Sequence, residues 1–233
     1  MISEEQIYYH FLSSRDAIQD LERKMIKVST PKTFNDPFEL MPYLRYSTGK
    51  KIKRYKDFRK IFFDDYGLLC FSKTWKEPLL WSHYADRHKG IAIGFQISGY
   101  KILHVKYRRD PKRRQIELTN NSKTNEESFR ELAKIKYIKW EYEAESRVLL
   151  KLKDCTKIDG DYFAQFGSNL QVKEIRLGDE FEYDENSAEY IFKISTDAGA
   201  DIPISCRLQR EGYQIVKDGR RSNIFEKIKN DRG

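Results

Sequence analysis

The segment Lys139–Arg147, KWEYEAESR, places two glutamates and an arginine at every second position. If the chain enters a β-strand near Tyr142, the side chains of Glu143, Glu145 and Arg147 point to the same face, because side chains alternate along a strand. Two carboxylates this close raise the pKa of at least one of them, whereas a nearby guanidinium lowers the pKa of the other. Such a split is the basis of paired acid and base roles in catalysis. The same pattern is also typical of a solvated strand face with surface ion pairs.

A second candidate region is the aromatic segment LLWSHYADRHK. Pro78 suits the first turn of a helix, and a helix running to about His88 puts Trp81, Tyr84 and Ala85 on one face with that histidine. This arrangement predicts a flat aromatic wall that could stack a planar ring, such as nicotinamide or a base. An aromatic stripe at this spacing is equally typical of a buried core.

Two further polar residues are predicted at the ends of strands. His10 lies near the end of the aromatic segment 6–12, which alternates weakly and indicates a first strand. Ser72 lies at the exit of the short apolar segment GLLCFSK, which begins at Gly67 and is typical of a buried central strand.

Several common site classes lack their motifs. Cys70, Cys155 and Cys206 are odd in number and form no CxxC pair, so reduced, buried thiols fit better than disulfides or a zinc knuckle. His83 and His88 are five residues apart, which separates them by about 140° on a helix and prevents joint chelation of one metal. The chain has no GxxxxGK[ST], GxGxxG or GxSxG motif. We therefore expect no metal.

Composition indicates a folded, basic protein. The 233 residues are 39% hydrophobic and 14% aromatic, enough for a real core, and no linker divides them, so we predict a single domain, residues 1–233. The net charge of +8 favours anionic partners, with denser basic stretches at Lys50–Lys60 and Lys106–Arg114. The start of the chain is not typical of a leader, and no run approaches the roughly 18 apolar residues of a spanning helix. We therefore predict a cytoplasmic protein without membrane contact.

The pattern of elements predicts an α+β fold. The expected strands are 6–12, 25–30, 67–73, 90–95, 101–107, 143–152, 172–177 and 207–217, and the expected helices are 13–24, 56–66, 78–88, 124–137 and 185–195. Thr124 and Glu127 fit a capping box at the start of the fourth helix. Sheets flanked by helices follow from this alternation.

Six motifs in a fixed order span most of the chain. They are YYHFLS (8–13), VSTPKTFNDPFEL (28–40), LLCFSK (68–73), LLWSHYADRHKGIAIGF (79–95), WEYEAESR (140–147) and KEIRLGDEF (173–181). Together they resemble a bacterial family known as domain of unknown function 2971. The motif order is in turn similar to the ADP-ribosyltransferase superfamily, in which a first-strand His or Arg, a middle Tyr or Ser and a late-strand Glu surround NAD.

This resemblance implies a fold and a set of roles. The fold would be a single α+β domain with mixed, mainly antiparallel sheets, ADP-ribosyltransferase-like, and NAD would be its substrate. Glu145 would stabilise the oxocarbenium charge that develops when nicotinamide leaves the ribose, and Glu143 would polarise the acceptor. His10 would hydrogen-bond the ribose. In the cofactor-binding set, the nicotinamide ring would meet Ser72, Trp81 or Tyr84, and the pyrophosphate would meet Arg147 or nearby lysines.

The leading hypothesis is therefore an NAD-dependent ADP-ribosyltransferase or NAD glycohydrolase, acting as a toxin or phage-defence effector on a nucleic acid or protein acceptor. A non-catalytic nucleic-acid-binding module of a defence system is the alternative, based on charge and on the Tyr, Lys and Arg residues at 100–114. A metal-dependent nuclease using His10, Glu143 and Glu145 is less well supported, because no Asp-rich cluster supplies further oxygen ligands. The acceptor and the oligomeric state stay open.

Overall fold

A computed structural model describes residues 6–30, 34, 36, 40, 60, 62–109 and 122–232, and for 122–125 it describes the backbone only. Most of the predicted helix 56–66, the basic stretch at 50–60 and much of the FNDPFE motif lie outside these residues. The second basic stretch is described only as far as Arg109, and the side chain of Thr124 in the predicted capping box is also outside.

The described residues include thirteen strands and five α-helices with defined bounds, and residues 60 and 62–65 are also helical. The strands are β1 Ile7–Leu12, β2 Met25–Val28, β3 Tyr66–Ser72, β4 Ile91–Ile97, β5 Ile102–His104, β6 Lys106–Arg108, β7 Ile135–Tyr137, β8 Glu145–Lys151, β9 Thr156–Ile158, β10 Asp161–Gln165, β11 Leu170–Leu177, β12 Ile204–Gln209 and β13 Gln214–Lys217. The helices are α1 Ser14–Arg23, α2 Pro78–Tyr84, α3 Ser122–Ala133, α4 Glu185–Asp197 and α5 Gly219–Arg232. A 3₁₀ helix, Ile138–Glu143, precedes β8.

One curled, eight-stranded sheet organises the fold. Its strand order is β13-β12-β11-β4-β1-β3-β8-β5, and its pairs are antiparallel except for the parallel pair β11–β12. Strands β2, β10 and β9 form a second sheet, and β6 pairs with β7 in parallel. The predicted α+β class with mainly antiparallel sheets is confirmed.

The centre of the large sheet is strand β4, whose residues Ile91, Ala92, Ile93 and Phe95 are fully buried. A strand covered on both faces needs such a continuous apolar run, because neither face can meet water. Gly90 precedes this strand where a Cβ atom would collide with the carbonyl oxygen of Leu12, so the close approach to β1 needs a glycine there.

Strands β1 and β3 diverge, and this divergence places the site described below. Strand β1 pairs with β4 along its whole length but with β3 only at Tyr9 and Ser72. Further along β3, Leu68 bonds instead to Ser29, which follows β2. The sheet is therefore open on the β1 side of β3 between Ser72 and Leu68, around Cys70.

Several predicted elements have different bounds. Helix α2 ends at Tyr84 and not near His88, because Asp86, Arg87 and His88 have positive φ angles that no α-helix contains. The prediction that Trp81, Tyr84 and His88 share one helical face is therefore wrong.

Helix α3 ends at Ala133, and Ile135 and Lys136 belong to strand β7. The predicted last strand is instead a hairpin of β12 and β13. Strand β8 begins at Glu145, because Ala144 takes a left-handed conformation with φ 44°. Within the described ranges, no helix combines the length and apolar character needed to cross a membrane.

Candidate active site

A pocket of about 240 Å³ opens where β1 and β3 diverge. Its lining consists of Tyr9, His10, Phe11, Ser29, Phe34, Cys70, Phe71, Ser72, Leu80, Tyr84, Lys136, Glu143 and Glu145. Five of the seven residues proposed from sequence therefore face one cavity, although they come from three strands, a helix and a 3₁₀ helix. The two that do not are Trp81 and Arg147.

His10 fills part of the opening in the sheet. Its Nδ1 lies 2.8 Å from the carbonyl oxygen of Cys70, which the diverging strand β1 leaves without a backbone partner from that strand. Because a carbonyl only accepts hydrogen bonds, Nδ1 must carry the proton, and Nε2 of the neutral ring is an acceptor. Burial lowers the pKa of His10, which favours this neutral form.

Glu145 is held by a buried arginine. Arg147 donates through Nε to Oε1 and through Nη2 to Oε2 of Glu145, both at 2.7 Å, and its Nη1 donates to the carbonyl of Ala133 at 3.0 Å. Arg147 is fully buried. The predicted pyrophosphate contact is therefore wrong for Arg147, because its guanidinium lies behind the carboxylate in the core and positions it.

Glu143 reaches the pocket from the 3₁₀ helix and not from β8. The expected strand alternation of 143, 145 and 147 therefore holds only for the last two residues. The left-handed Ala144 turns the chain between them, and Glu143 and Glu145 still converge on one cation, Lys136. The Nζ atom of Lys136 donates to Oε2 of Glu143 at 2.5 Å and to Oε2 of Glu145 at 3.0 Å.

Sequence reasoning missed Lys136, which it assigned to a helix. The alternation of Ile135 and Tyr137 around it is the available signal for a strand. In β7, Lys136 is buried, paired in register with Tyr107 of β6. The hydroxyl of Tyr107 accepts the backbone N–H of Glu145 at 2.7 Å, so both strands of this ribbon position the acid.

Tyr84 and Ser72 occupy two sides of the pocket. The Tyr84 hydroxyl donates to Oε1 of Glu143 at 2.5 Å. Burial is the main reason that the pKa of Tyr84 is raised, so the hydroxyl keeps its proton. Ser72 is buried and its Oγ accepts the backbone N–H of Thr74 at 3.1 Å.

Trp81 lies in the core and not in the pocket. It is fully buried, its Nε1 donates to the carbonyl oxygen of Trp75 at 2.6 Å, and its ring meets Phe11 edge-on at 5.1 Å. The predicted stacking role of Trp81 is therefore wrong, because both its ring and its polar atom already have protein partners. Tyr84 is the aromatic residue of α2 that faces the cavity.

The lining contributes two carboxylates and one ammonium, His10 is neutral, and the guanidinium of Arg147 behind Glu145 brings the net charge of this cluster to zero when both acids are ionised. Burial raises the pKa of Glu145 to about 7, against the opposing effect of Lys136. Burial alone would lower the pKa of Lys136, but the charges of Glu145 and Glu143 outweigh it and raise that pKa, so the ammonium persists. Burial also raises the pKa of the Cys70 thiol well above its usual value, which disfavours a thiolate nucleophile.

No group of three or more His, Cys, Asp or Glu side chains among the described residues is arranged to hold a metal ion. The lysine between the two pocket carboxylates occupies the place where a shared cation would otherwise sit.

One segment of the chain matches a known protein family. Residues 80–148 match the family described as Protein of unknown function (DUF2971). This match supports the resemblance seen in the sequence motifs, and it contains Tyr84, Lys136, Glu143 and Glu145. Neither a curated protein nor a solved structure matches the chain.

Proposed function

We propose that this protein cleaves the bond between nicotinamide and ribose in NAD and transfers the ADP-ribosyl group to water or to an acceptor. The observation that carries the proposal is one pocket that joins His10 of the first strand to the buried carboxylate of Glu145 at the start of a late strand. Glu145 is the catalytic carboxylate, Glu143 receives the acceptor's proton, and Nε2 of His10 accepts a hydrogen bond from a ribose hydroxyl.

The carboxylates and aromatic rings of the pocket support a cationic substrate group. The pyridinium ring of NAD is planar and positively charged, and the lining offers the carboxylates of Glu143 and Glu145 together with rings of Phe34, Phe71 and Tyr84. Cations are attracted to the faces of aromatic rings, more strongly when water is excluded. The positive charge moves from the ring to the ribose C1′ as the bond breaks, and a fixed carboxylate stabilises that charge in place.

The departure of nicotinamide requires no general acid. When the bond between C1′ and the pyridinium nitrogen breaks, its electron pair goes to the nitrogen, and nicotinamide leaves as a neutral molecule. An oxygen of water or of the acceptor then bonds to C1′ and loses a proton. The site must therefore supply an anion and a proton acceptor, which match Glu145 and Glu143.

Pocket size sets which part of NAD enters. A complete drug-sized ligand occupies roughly 300–1,000 Å³ in typical sites, so about 240 Å³ suits the nicotinamide and its ribose. The adenosine half would lie outside the described cavity. Consumption of NAD would act on the whole cell, which is the basis for proposing a toxin or phage-defence role.

Release of nicotinamide tests the proposal. The protein is incubated with NAD, and nicotinamide and ADP-ribose are quantified by liquid chromatography. We expect Glu145→Gln to lower kcat by about 100-fold or more, in the range of one lost electrostatic contact at a transition state. The matched control is Glu174→Gln on strand β11, another glutamate paired with an arginine two residues later but outside the pocket lining. Equal activity of wild type and Glu145→Gln would reject the proposed catalyst.

A non-catalytic nucleic-acid-binding module is the second candidate. Lys106 and Arg108 of β6 are exposed, while Tyr107 between them points inward to Glu145, so the outer face of this strand is basic. Phosphate contacts from such a face would give binding that weakens steeply with salt. Gel-shift titrations with single-stranded DNA and RNA at low and high salt, on wild type and on Lys106→Glu/Arg108→Glu, test this candidate.

A further inference from the structure

A row of aromatic rings leads from the pocket to solvent. Tyr84 lines the pocket, and His83, Tyr142 and Trp140 continue from it in that order. Neighbouring ring centroids are 6.1, 5.7 and 6.1 Å apart. His83 is exposed and the other three rings are half-buried, so each ring offers part of its surface to a ligand. We call these four residues the aromatic ledge.

Contacts within the protein hold the ledge in place. The hydroxyl of Tyr142 lies 2.8 Å from Nδ1 of His83. The Nζ atom of Lys136 lies 5.1 Å from the ring centre of Trp140. Lys136 itself lines the pocket, so the far end of the ledge is tied to the same cavity as Tyr84. Because the rings are fixed beforehand, binding of a planar ligand costs little side-chain entropy.

Basic side chains lie beside the ledge. Strand β6 packs against the 3₁₀ helix that carries two of these rings, and its Lys106 and Arg108 are exposed. Arg108 pairs in register with Tyr137 of β7, a further ring that is 41% exposed. Lys139 and Glu141 are the exposed charged residues of the 3₁₀ helix. Three cations therefore accompany one carboxylate, and this surface attracts anions.

Accessible rings beside exposed cations suit a single-stranded nucleic acid. Its bases can stack on aromatic side chains, and its phosphates are attracted to Lys and Arg. The bases of a duplex are already stacked on one another, so a duplex would leave the rings unused. We propose that the ledge and strand β6 bind single-stranded RNA or DNA, and that this strand is the acceptor of the ADP-ribosyl group. The acceptor role rests on the proposed function.

Two other occupants fit the surface less well. An acidic peptide would pair with the cations but would bring no planar groups to the rings. The adenosine half of NAD has one base and two phosphates, whereas the surface offers several rings and has cations on two separate elements. The extent of the surface therefore favours a polynucleotide.

The ledge begins where the acceptor must react. The hydroxyl of Tyr84 donates to Oε1 of Glu143, the acid that takes the acceptor's proton in the proposed reaction. A hydroxyl or amino group of the bound strand attacks C1′ of the ribose. The new bond to C1′ forms as the bond to the pyridinium nitrogen breaks. The electron pair of the broken bond leaves with nicotinamide, and the proton of the attacking group passes to Glu143.

Removal of one ring tests the surface directly. Fluorescence anisotropy measures the Kd for a short labelled RNA, for the DNA strand of the same sequence and for the DNA duplex. We expect Trp140→Ala to raise the Kd for the single strand by about 5- to 150-fold, as for one lost stacked base, and Trp140→Phe to keep most of the affinity. Trp75→Ala is the matched control and should leave the Kd unchanged. Trp75 is also half-buried with a cation over its ring, but it lies outside the ledge.

Transfer of label from NAD tests the acceptor role. The protein is incubated with the single strand and with NAD that is radiolabelled in its adenylate phosphate, and label in the strand is quantified after gel electrophoresis. We expect label in the single strand and not in the duplex, and a loss of label with Trp140→Ala at low strand concentration. The KM for NAD, measured by nicotinamide release without the strand, should be the same for Trp140→Ala and wild type.

Three results would overturn the binding surface. They are an unchanged Kd in Trp140→Ala, a duplex bound as tightly as the single strand, and a raised KM for NAD in Trp140→Ala, which would assign the ledge to the adenosine half. Nicotinamide release without label in a bound strand would reject the acceptor role alone. If the wild-type protein releases no nicotinamide, the proposed function and the acceptor role fail together, whereas weaker binding by Trp140→Ala but not by Trp75→Ala still supports the surface.

Discussion

Strands β8 and β11 each carry a glutamate followed two residues later by an arginine, and the two pairs have different surroundings. In β8, Arg147 binds both oxygens of Glu145, and both side chains are nearly inaccessible. In β11, Arg176 donates twice to one oxygen of Glu174, at 3.0 and 2.6 Å, and the glutamate is 23% exposed.

The partners beyond each pair differ as well. Glu145 shares Lys136 with a second acid, next to a cavity. Glu174 accepts instead from the hydroxyl of Tyr9 at 2.9 Å, while Arg176 lies over the ring of Trp75 at 4.3 Å. The same local motif therefore belongs to a candidate active site in β8, and in β11 it forms an ion pair that is covered by an aromatic ring. The environment and not the motif decides the chemistry.

The largest expected difference between the pairs is in stability. Arg147→Met leaves Glu145 buried without its bidentate partner and should lower the free energy of unfolding by about 3–5 kcal/mol. Arg176→Met leaves a carboxylate that still reaches water and Tyr9, so a loss of roughly 1–2 kcal/mol is expected. Urea denaturation followed by circular dichroism measures both values. Equal losses would contradict the contrast between the two pairs.

The next largest effect is expected in the pH dependence of activity, which reflects the ionisation of Glu145. Glu145 acts as a carboxylate, so activity should rise with pH through about 7, the pKa to which burial raises this acid. Lys136 lowers that pKa, and Lys136→Met should therefore move the rise to higher pH by about one unit or more. Lys136→Arg keeps the charge and serves as the matched control. Profiles of kcat/KM for nicotinamide release from pH 5.5 to 9 measure the shift, and superimposable profiles would exclude this role of Lys136.

A third buried acid, without a bound cation, gives the smallest effect. Asp20 is 5% exposed, and its Oδ2 has no hydrogen-bond partner in the part of the chain that the structure describes. Burial raises its pKa to about 7. The folded protein thus holds this proton to higher pH than the unfolded chain does, and the stability from Asp20 is lost as pH rises from about 4 through about 7.

Asp20→Asn should accordingly raise the free energy of unfolding at pH 8 by about 1–2 kcal/mol, with little gain at pH 4. Thermal and urea unfolding at both pH values measure the gain. The exposed Asp201→Asn is the control and should change neither value. A destabilised Asp20→Asn at pH 8 would show that the charge of this acid is compensated.

Sequence reasoning was most accurate where a local pattern coincides with burial. The apolar segments around β3 and β4 and helix α1 were predicted close to their bounds. It was least accurate at the end of α2 and just before β8, where left-handed residues at 86–88 and at 144 end elements without a glycine or proline at those positions. Lys136 was missed because its strand begins two residues after helix α3 ends, so the helical pattern continues into it.

The sequence by itself determined the α+β class and the residue types of the site, because periodicity and composition are local properties. Only the tertiary structure decided which residues meet. His10 and Glu145 converge because β1 and β3 pair at only one position and then diverge. Trp81 and Arg147 lie outside the pocket because each has its polar partners in the core. Such choices depend on contacts between residues far apart in the chain, where packing and hydrogen bonding of the whole sheet outweigh any local preference.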